Sequence, residues 1–246
     1  MTTIRIMTYQ VQRCRGGDGR IDLARVARVI GDGAADIVAL QNIDATPSFG
    51  TENQLDYLAQ RFGMKAHCAN PGPGTTAFLS NNSLKGVQEY DLGGGGRCLR
   101  ADAEVGGKRL HLFNLHLTDG ERNAQLVRLL GPDLLGNQRL VSPILVLGDF
   151  ADFWWGPGNV KLTMTLRRAQ HPLWPGTYPA RFPLIWRDRV YLRGDLNIID
   201  STILHSAIAR QASSHLPLVV TAQIVDPRNY LRLEKLKRNR MEIAPG

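Results

Sequence analysis

The residues of this chain best suited to chemistry lie in six short segments. In order they are Thr8-Tyr9-Gln10-Val11, Leu40-Gln41-Asn42-Ile43-Asp44, Asn114-Leu115-His116-Leu117, Gly148-Asp149-Phe150-Ala151, Arg187-Asp188-Arg189-Val190 and Ser213-Ser214-His215-Leu216-Pro217-Leu218. They include His116, His215, Asp149 and Asp188, side chains of the types used for proton transfer. Each taken alone has a plainer role: a lone histidine is more often a hydrogen-bonded structural group, and an aspartate after a strand can cap a turn. The signal is carried by the order of all six.

That order resembles the endonuclease/exonuclease/phosphatase superfamily, the DNase I-like hydrolases, from roughly Ile4 to Val225. In that family the segments read T-Y-N, L-Q-E, H-L, G-D-F-N, D-R-I and S-D-H-x-P. The resemblance implies an α/β fold, a four-layer sandwich of two mixed β-sheets flanked by helices. It also implies metal-dependent phosphodiester hydrolysis, with Mg²⁺ or Mn²⁺ as the cofactor of an active member. On this resemblance His215 is the general base or acid and Asp188 orients its imidazole. Asp149 positions or activates water, and His116 contacts the scissile phosphate.

Four positions depart from the family pattern: Gln10 stands for Asn, Asn42 for Glu, Ala151 for Asn and Ser214 for Asp. All four fall where the resemblance places metal or phosphate. None of Gln10, Asn42 and Ser214 ionises, so two formal negative charges are gone from a site meant for a hard dication. Gln10 is one methylene longer than Asn, which displaces its oxygen. Ala151 offers no donor, and losing one preorganised donor costs about 10²–10³ in rate. The expectation is an impaired or inactive phosphodiesterase-like protein that binds a phosphate-containing ligand or a protein partner. The alternative is an active hydrolase of nucleic acid or lipid head groups with a rebuilt metal site, for which Asp44 and Asp152 are the candidate new ligands. Asp44 lies two residues beyond Asn42 and on a regular strand shares its face. Arg97 and Arg189 are the candidate phosphate contacts.

The elements that must position these residues are legible as alternating strand and helix patterns. Strands are expected at Ile4–Tyr9, Asp36–Ile43, Arg97–Val105, Leu110–Leu117 and Pro143–Leu147, the last delivering Asp149 to its end. Apolar residues at Leu23, Val26, Ala27 and Ile30 predict a helix over Ile21–Ile30. Further helices are expected at Glu52–Arg61 and Gly120–Leu130. Gly93–Gly96 is followed by a strand rather than a helix, so it reads as a hairpin loop and not a phosphate cradle. Phe153, Trp154, Trp155, Trp174 and Trp186 favour rim or core packing over base stacking or membrane contact.

The 246 residues, 43% hydrophobic, suffice for one large core. One domain over 1–227 and a basic tail over 228–246 are expected. The formal charge of +8 favours a polyanionic partner, nucleic acid or an anionic lipid surface among them. Three widely spaced cysteines, Cys14, Cys68 and Cys98, suggest neither a disulfide framework nor a zinc site. No apolar run approaches the roughly 18 residues of a membrane span, and a cytoplasmic location is the expectation.

Overall fold

The computed structural model describes residues 2–46, 52–141, 143–151, 157–169, 172 and 176–225. Two six-stranded mixed sheets are formed by these residues. The first orders β11 (Leu196–Ile203), β12 (Leu218–Ile224), β1 (Thr3–Gln10), β2 (Ile37–Ile43), β4 (Thr75–Ser80) and β3 (Lys65–His67). The second orders β5 (Lys85–Gly93), β6 (Gly96–Val105), β7 (Lys108–His116), β8 (Ile144–Asp149), β10 (Asp188–Arg193) and β9 (Arg167–Arg168). The pairs β1–β2 and β7–β8 are parallel, and the remaining pairs are antiparallel.

Two cores follow from strand alternation. The larger core includes Leu99, Leu112, Leu147 and Val190 from the second sheet. It joins them to residues of the first sheet and of α1 (Leu23–Gly33), α2 (Gln54–Phe62) and α5 (Ala207–Ala212). The alternate residues of the second sheet, Phe113, Leu115, Val146 and Tyr191 among them, pack with α3 (Arg122–Leu129) and with Leu162 of α4 (Pro157–Thr165). The result is helix, sheet, sheet, helix, the four layers expected from the motif order.

Helix α1 is amphipathic, burying Val26, Ala27, Val29 and Ile30. Asp22 caps it by accepting the Arg25 N–H at 2.9 Å. It runs three residues beyond the expected end because Gly33 continues the helix and the left-handed turn comes at Ala34, φ 44°. Gly33 also lies hard against β1, where an added Cβ would fall 2.0 Å from Met7 Cε. Helices α4 and α5 are additions to the sequence-based expectation. The Gly93–Gly96 hairpin is as expected: Gly94 and Gly95 connect β5 to β6 with φ 56° and 82°, the positive angles that tight hairpins need.

Polar side chains join the sheets below the site. Gln41 Nε2 donates to Asn114 Oδ1 at 2.7 Å and to Thr8 Oγ1 at 3.0 Å. Asn114 Nδ2 donates in turn to the Leu40 and Ala77 carbonyls at 2.9 and 3.0 Å. These bonds give the glutamine of the L-Q motif a structural role. Both residues are fully buried, so a broken partner would leave an unsatisfied amide, a cost of about 1–3 kcal/mol.

Candidate active site

Strand register assembles the core of the site. Arg97 pairs with His116, His116 with Asp149 and Asp149 with Asp188, so one row crosses β6, β7, β8 and β10. Direct partners share a face, here the inter-sheet face of Leu99, Leu112, Leu147 and Val190. The row lies at the end of the sandwich where β1, β2, β7 and β8 finish. His215 enters from the turn before β12, tied to the end of β1 by Ser213 Oγ, which donates to the Gln10 carbonyl at 2.7 Å. Gly148 permits the close approach: its φ is 139°, and a Cβ there would lie 2.0 Å from the Leu115 carbonyl oxygen.

A chain of ionisable groups results. His215 Nδ1 lies 2.7 Å from Asp188 Oδ2, the geometry of an imidazole N–H donating to a carboxylate. Its other nitrogen, Nε2, faces Asp149 Oδ2 at 3.8 Å. His116 Nδ1 stands 3.9 Å from the same oxygen. The Asp188 backbone N–H donates to Thr177 Oγ1 at 3.1 Å, and the Tyr178 ring centroid lies 4.9 Å from that of His215.

Burial is the largest influence on the His215 pKa and lowers it. The charge and hydrogen bond of Asp188, with the charge of Asp149, outweigh it, so His215 takes up a proton more readily than an ordinary histidine. His116 goes the other way. Its burial disfavours the cation, and Asp149 offsets this only in part, while His215 and Arg187 add repulsion. The site therefore pairs an imidazole inclined to be charged with one inclined to be neutral, an arrangement suited to moving a proton.

Arg187 belongs to this cluster and is not among the residues expected from the sequence. Its Nε donates to Asp149 Oδ1 at 3.2 Å, its Nη2 lies 3.3 Å from Asp119 Oδ1, and its guanidinium sits 5.1 Å from the Tyr178 ring centroid. The candidate phosphate contact Arg189 is not in the site. It follows Asp188 within β10 and therefore faces the other side, where it is fully buried, donates to the Trp186 carbonyl at 3.0 Å and lies against the Trp186 ring. Trp186 itself is core packing, 4% exposed. Arg97 does lie beside His116, but its Nη1 is engaged by Glu89 Oε1 at 3.0 Å.

Two of the four substituted positions, Gln10 and Ser214, form a neutral network with Gln12. Gln10 Oε1 accepts the Gln12 N–H at 2.8 Å, and Gln10 Nε2 donates to Gln12 Oε1 at 3.1 Å. Ser214 Oγ donates to the same Gln12 oxygen at 3.2 Å. Gln12 was not among the expected site residues, and nothing in its motif context marks it. It reaches this place because Gln12, Arg13 and Cys14 turn with φ 52°, 52° and 56°, a left-handed turn that costs about 1–2 kcal/mol per residue.

Asn42 and Ala151 also have positive φ, 56° and 46°. Asparagine tolerates this region, whereas alanine adopts it at a cost of about 1–2 kcal/mol. Asn42 Oδ1 lies over Gly74, where an added Cβ would come within 2.9 Å of it. The Ala151 N–H donates to Asp149 Oδ1 at 2.8 Å and helps to fix that carboxylate.

Of the two expected new metal ligands, Asp44 does not join the site. The β2 register breaks between Leu40 and Ile43, so the alternation that put Asp44 on the face of Asn42 does not hold. Asp44 is instead committed to Thr46, which donates its N–H and its hydroxyl to Oδ1, and to Arg13, whose Nη2 lies 3.1 Å from Oδ2. Those partners hold its carboxyl below the usual range, the Thr46 hydroxyl foremost. Asp152 lies outside the described residues, as do Phe153, Trp154, Trp155, Trp174 and the basic tail. Among the described residues no group of three or more His, Cys, Asp or Glu is arranged to hold a metal ion. With the Gln10 oxygen accepting a backbone N–H and Ser214 acting as a donor, the described residues do not fit the Mg²⁺ or Mn²⁺ of the family pattern.

A sequence model described as the endonuclease/exonuclease/phosphatase family matches residues 7–215. No curated protein matches the chain significantly. The fold is similar to that of an endonuclease/exonuclease/phosphatase from Beutenbergia cavernae, with 19% identity, TM-score 0.74 and coverage of 91% of this chain and 72% of that one. It is similar to the human Nocturnin catalytic domain with bound sulfate, with 19% identity, TM-score 0.71 and coverage of 91% and 94%. It is also similar to D. rerio TDP2 complexed with a single strand DNA product, with 16% identity, TM-score 0.70 and coverage of 90% and 99%. Identities this low speak for a shared fold.

Proposed function

The chain belongs to the endonuclease/exonuclease/phosphatase family, and we propose that it is a member with little or no metal-dependent hydrolysis, whose site binds a phosphate-containing ligand without a metal. The observation that carries this reading is the Gln10–Gln12–Ser214 network. It satisfies with neutral hydrogen bonds two of the three positions at which the family pattern places metal ligands, Gln10 and Ser214, while the third holds the neutral Asn42.

Charge bookkeeping supports it. Replacing Glu by Asn42 and Asp by Ser214 removes two negative charges, and omitting a dication removes two positive ones. The formal charge presented to a bound phosphate is then unchanged. Arg187 supplies a fixed cation beside Asp149, and His215 supplies a second when protonated. A phosphate oxygen next to them gains charge-assisted hydrogen bonds. The sulfate and the single strand DNA product held by two relatives of the same fold are ligands of compatible chemistry. A protein partner carrying a phosphate group satisfies the same description.

A second reading, an active hydrolase acting on nucleic acid or lipid head groups, draws on the retained Asp149, His215 and Asp188. Calorimetric titration with inorganic phosphate in the presence of EDTA separates the two. Undiminished phosphate binding in EDTA, together with a Mn²⁺ electron paramagnetic resonance signal that the protein leaves unchanged, is expected. Phosphate binding that requires Mg²⁺ or Mn²⁺ would overturn the metal-free site.

A further inference from the structure

Phe182 and Leu184 are 69% and 75% exposed, although they belong to a well-tied loop between Thr177 and Ile185. The Thr177 and Tyr178 N–H groups both donate to the Ile185 carbonyl, at 2.9 and 3.0 Å, and the Ile185 N–H returns a bond to Tyr178 O at 2.8 Å. At the tip the Phe182 N–H donates to Pro179 O at 3.0 Å. The loop is anchored to the site at its base: the Ala180 N–H donates to Ser214 O at 2.7 Å, and the Tyr178 ring packs on His215. The two apolar side chains are therefore held out on a braced support.

Two arginines accompany them. Arg181 is exposed within the loop, and Arg210 of α5 donates through Nη1 to the Arg181 carbonyl at 3.1 Å and through Nε to His205 O at 3.2 Å. Among the described residues neither guanidinium pairs with a carboxylate. An apolar tip with unneutralised arginines at its flank matches the layering of an anionic bilayer, with phosphates outside and hydrocarbon within.

We propose that the loop from Thr177 to Ile185 docks on an anionic membrane, Phe182 and Leu184 entering the interfacial zone while Arg181 and Arg210 meet head-group phosphates. A single-stranded nucleic acid is the less suited partner, because Leu184 has no π face on which a base can stack. The proposal does not depend on which ligand the site itself holds.

Co-sedimentation of the full chain with vesicles of phosphatidylcholine containing phosphatidylserine tests this. At about 0.5 M NaCl, where exposed charge attraction is largely screened, Phe182→Ser/Leu184→Ser lowers vesicle partitioning by about tenfold or more. At low salt Arg181→Gln/Arg210→Gln weakens binding to the anionic vesicles and leaves pure phosphatidylcholine unaffected. A Phe182→Trp variant gains fluorescence that brominated acyl chains quench. Vesicle binding unchanged in the first double variant, no quenching of the introduced tryptophan, or no binding by the parent chain would each overturn the proposal. So would loss of single-stranded oligonucleotide binding in that variant with vesicle binding intact. Far-ultraviolet circular dichroism checks that these surface variants stay folded.

Discussion

Removing the His215 imidazole strands Asp188. Asp188 is fully buried, its Oδ2 accepts from His215 Nδ1 at 2.7 Å, and its Oδ1 is buried without a hydrogen-bond partner. His215→Ala leaves an uncompensated buried carboxylate, a change that costs about 3–5 kcal/mol. At about 2–4 °C per kcal/mol for a chain of this size, the melting temperature falls by roughly 6–20 °C. Asp188→Asn keeps an acceptor for the imidazole and removes the charge, costing about 1–3 kcal/mol. The double variant has neither the carboxylate nor its partner, so it loses less than the two single variants together. Urea unfolding at pH 6 measures the four proteins, and a coupling of at least about 1 kcal/mol is expected. Because the His215 pKa is raised in the fold, the charged pair contributes fully below the unfolded histidine value of about 6.5. That contribution is lost as pH climbs through the folded value. Over that window the parent chain loses more stability than His215→Ala, and the coupling shrinks. Single-variant costs that add to within about 0.5 kcal/mol at pH 6 would refute the charged dyad.

Other expected outcomes follow from the same geometry. Arg187→Gln lowers the affinity for inorganic phosphate in EDTA by about tenfold, the loss of one charge-assisted bond, read by calorimetry. Gln12→Ala orphans the Gln10 amide and the Ser214 hydroxyl and costs about 1–3 kcal/mol in urea unfolding. Asn42→Ala places alanine at φ 56° and costs about 1 kcal/mol, seen as a lower urea midpoint, whereas Asn42→Gly costs distinctly less.

Much of the fold was legible because strand ends carry the motifs and strand interiors are continuously apolar. Ile144–Asp149 is the plain case: a short apolar run between Pro143 and Gly148, with Asp149 at the strand's end. What escaped the sequence depended on backbone irregularity. Asp44 was placed by regular alternation, and the positive φ of Asn42 and the register break in β2 cancel that alternation. Arg189 follows Asp188, and alternation turns it away from the site once β10 begins at Asp188. Arg187 precedes the strand and is free of that constraint. Gln12 was illegible because a left-handed turn of three non-glycine residues leaves no signature in residue type. The exposure of Phe182 and Leu184 leaves no mark in residue type and is set by the fold of the loop that carries them.

A neutral network in place of a metal implies that metal-dependent turnover is absent from the parent chain. Hydrolysis of a generic phosphodiester with Mg²⁺ or Mn²⁺ tests that directly, with the parent chain run beside Gln10→Asn/Asn42→Glu/Ala151→Asn/Ser214→Asp. A silent parent and a fourfold variant that turns over only with metal is the expected result. Metal-dependent turnover by the parent, abolished by EDTA and by His215→Ala, would contradict it.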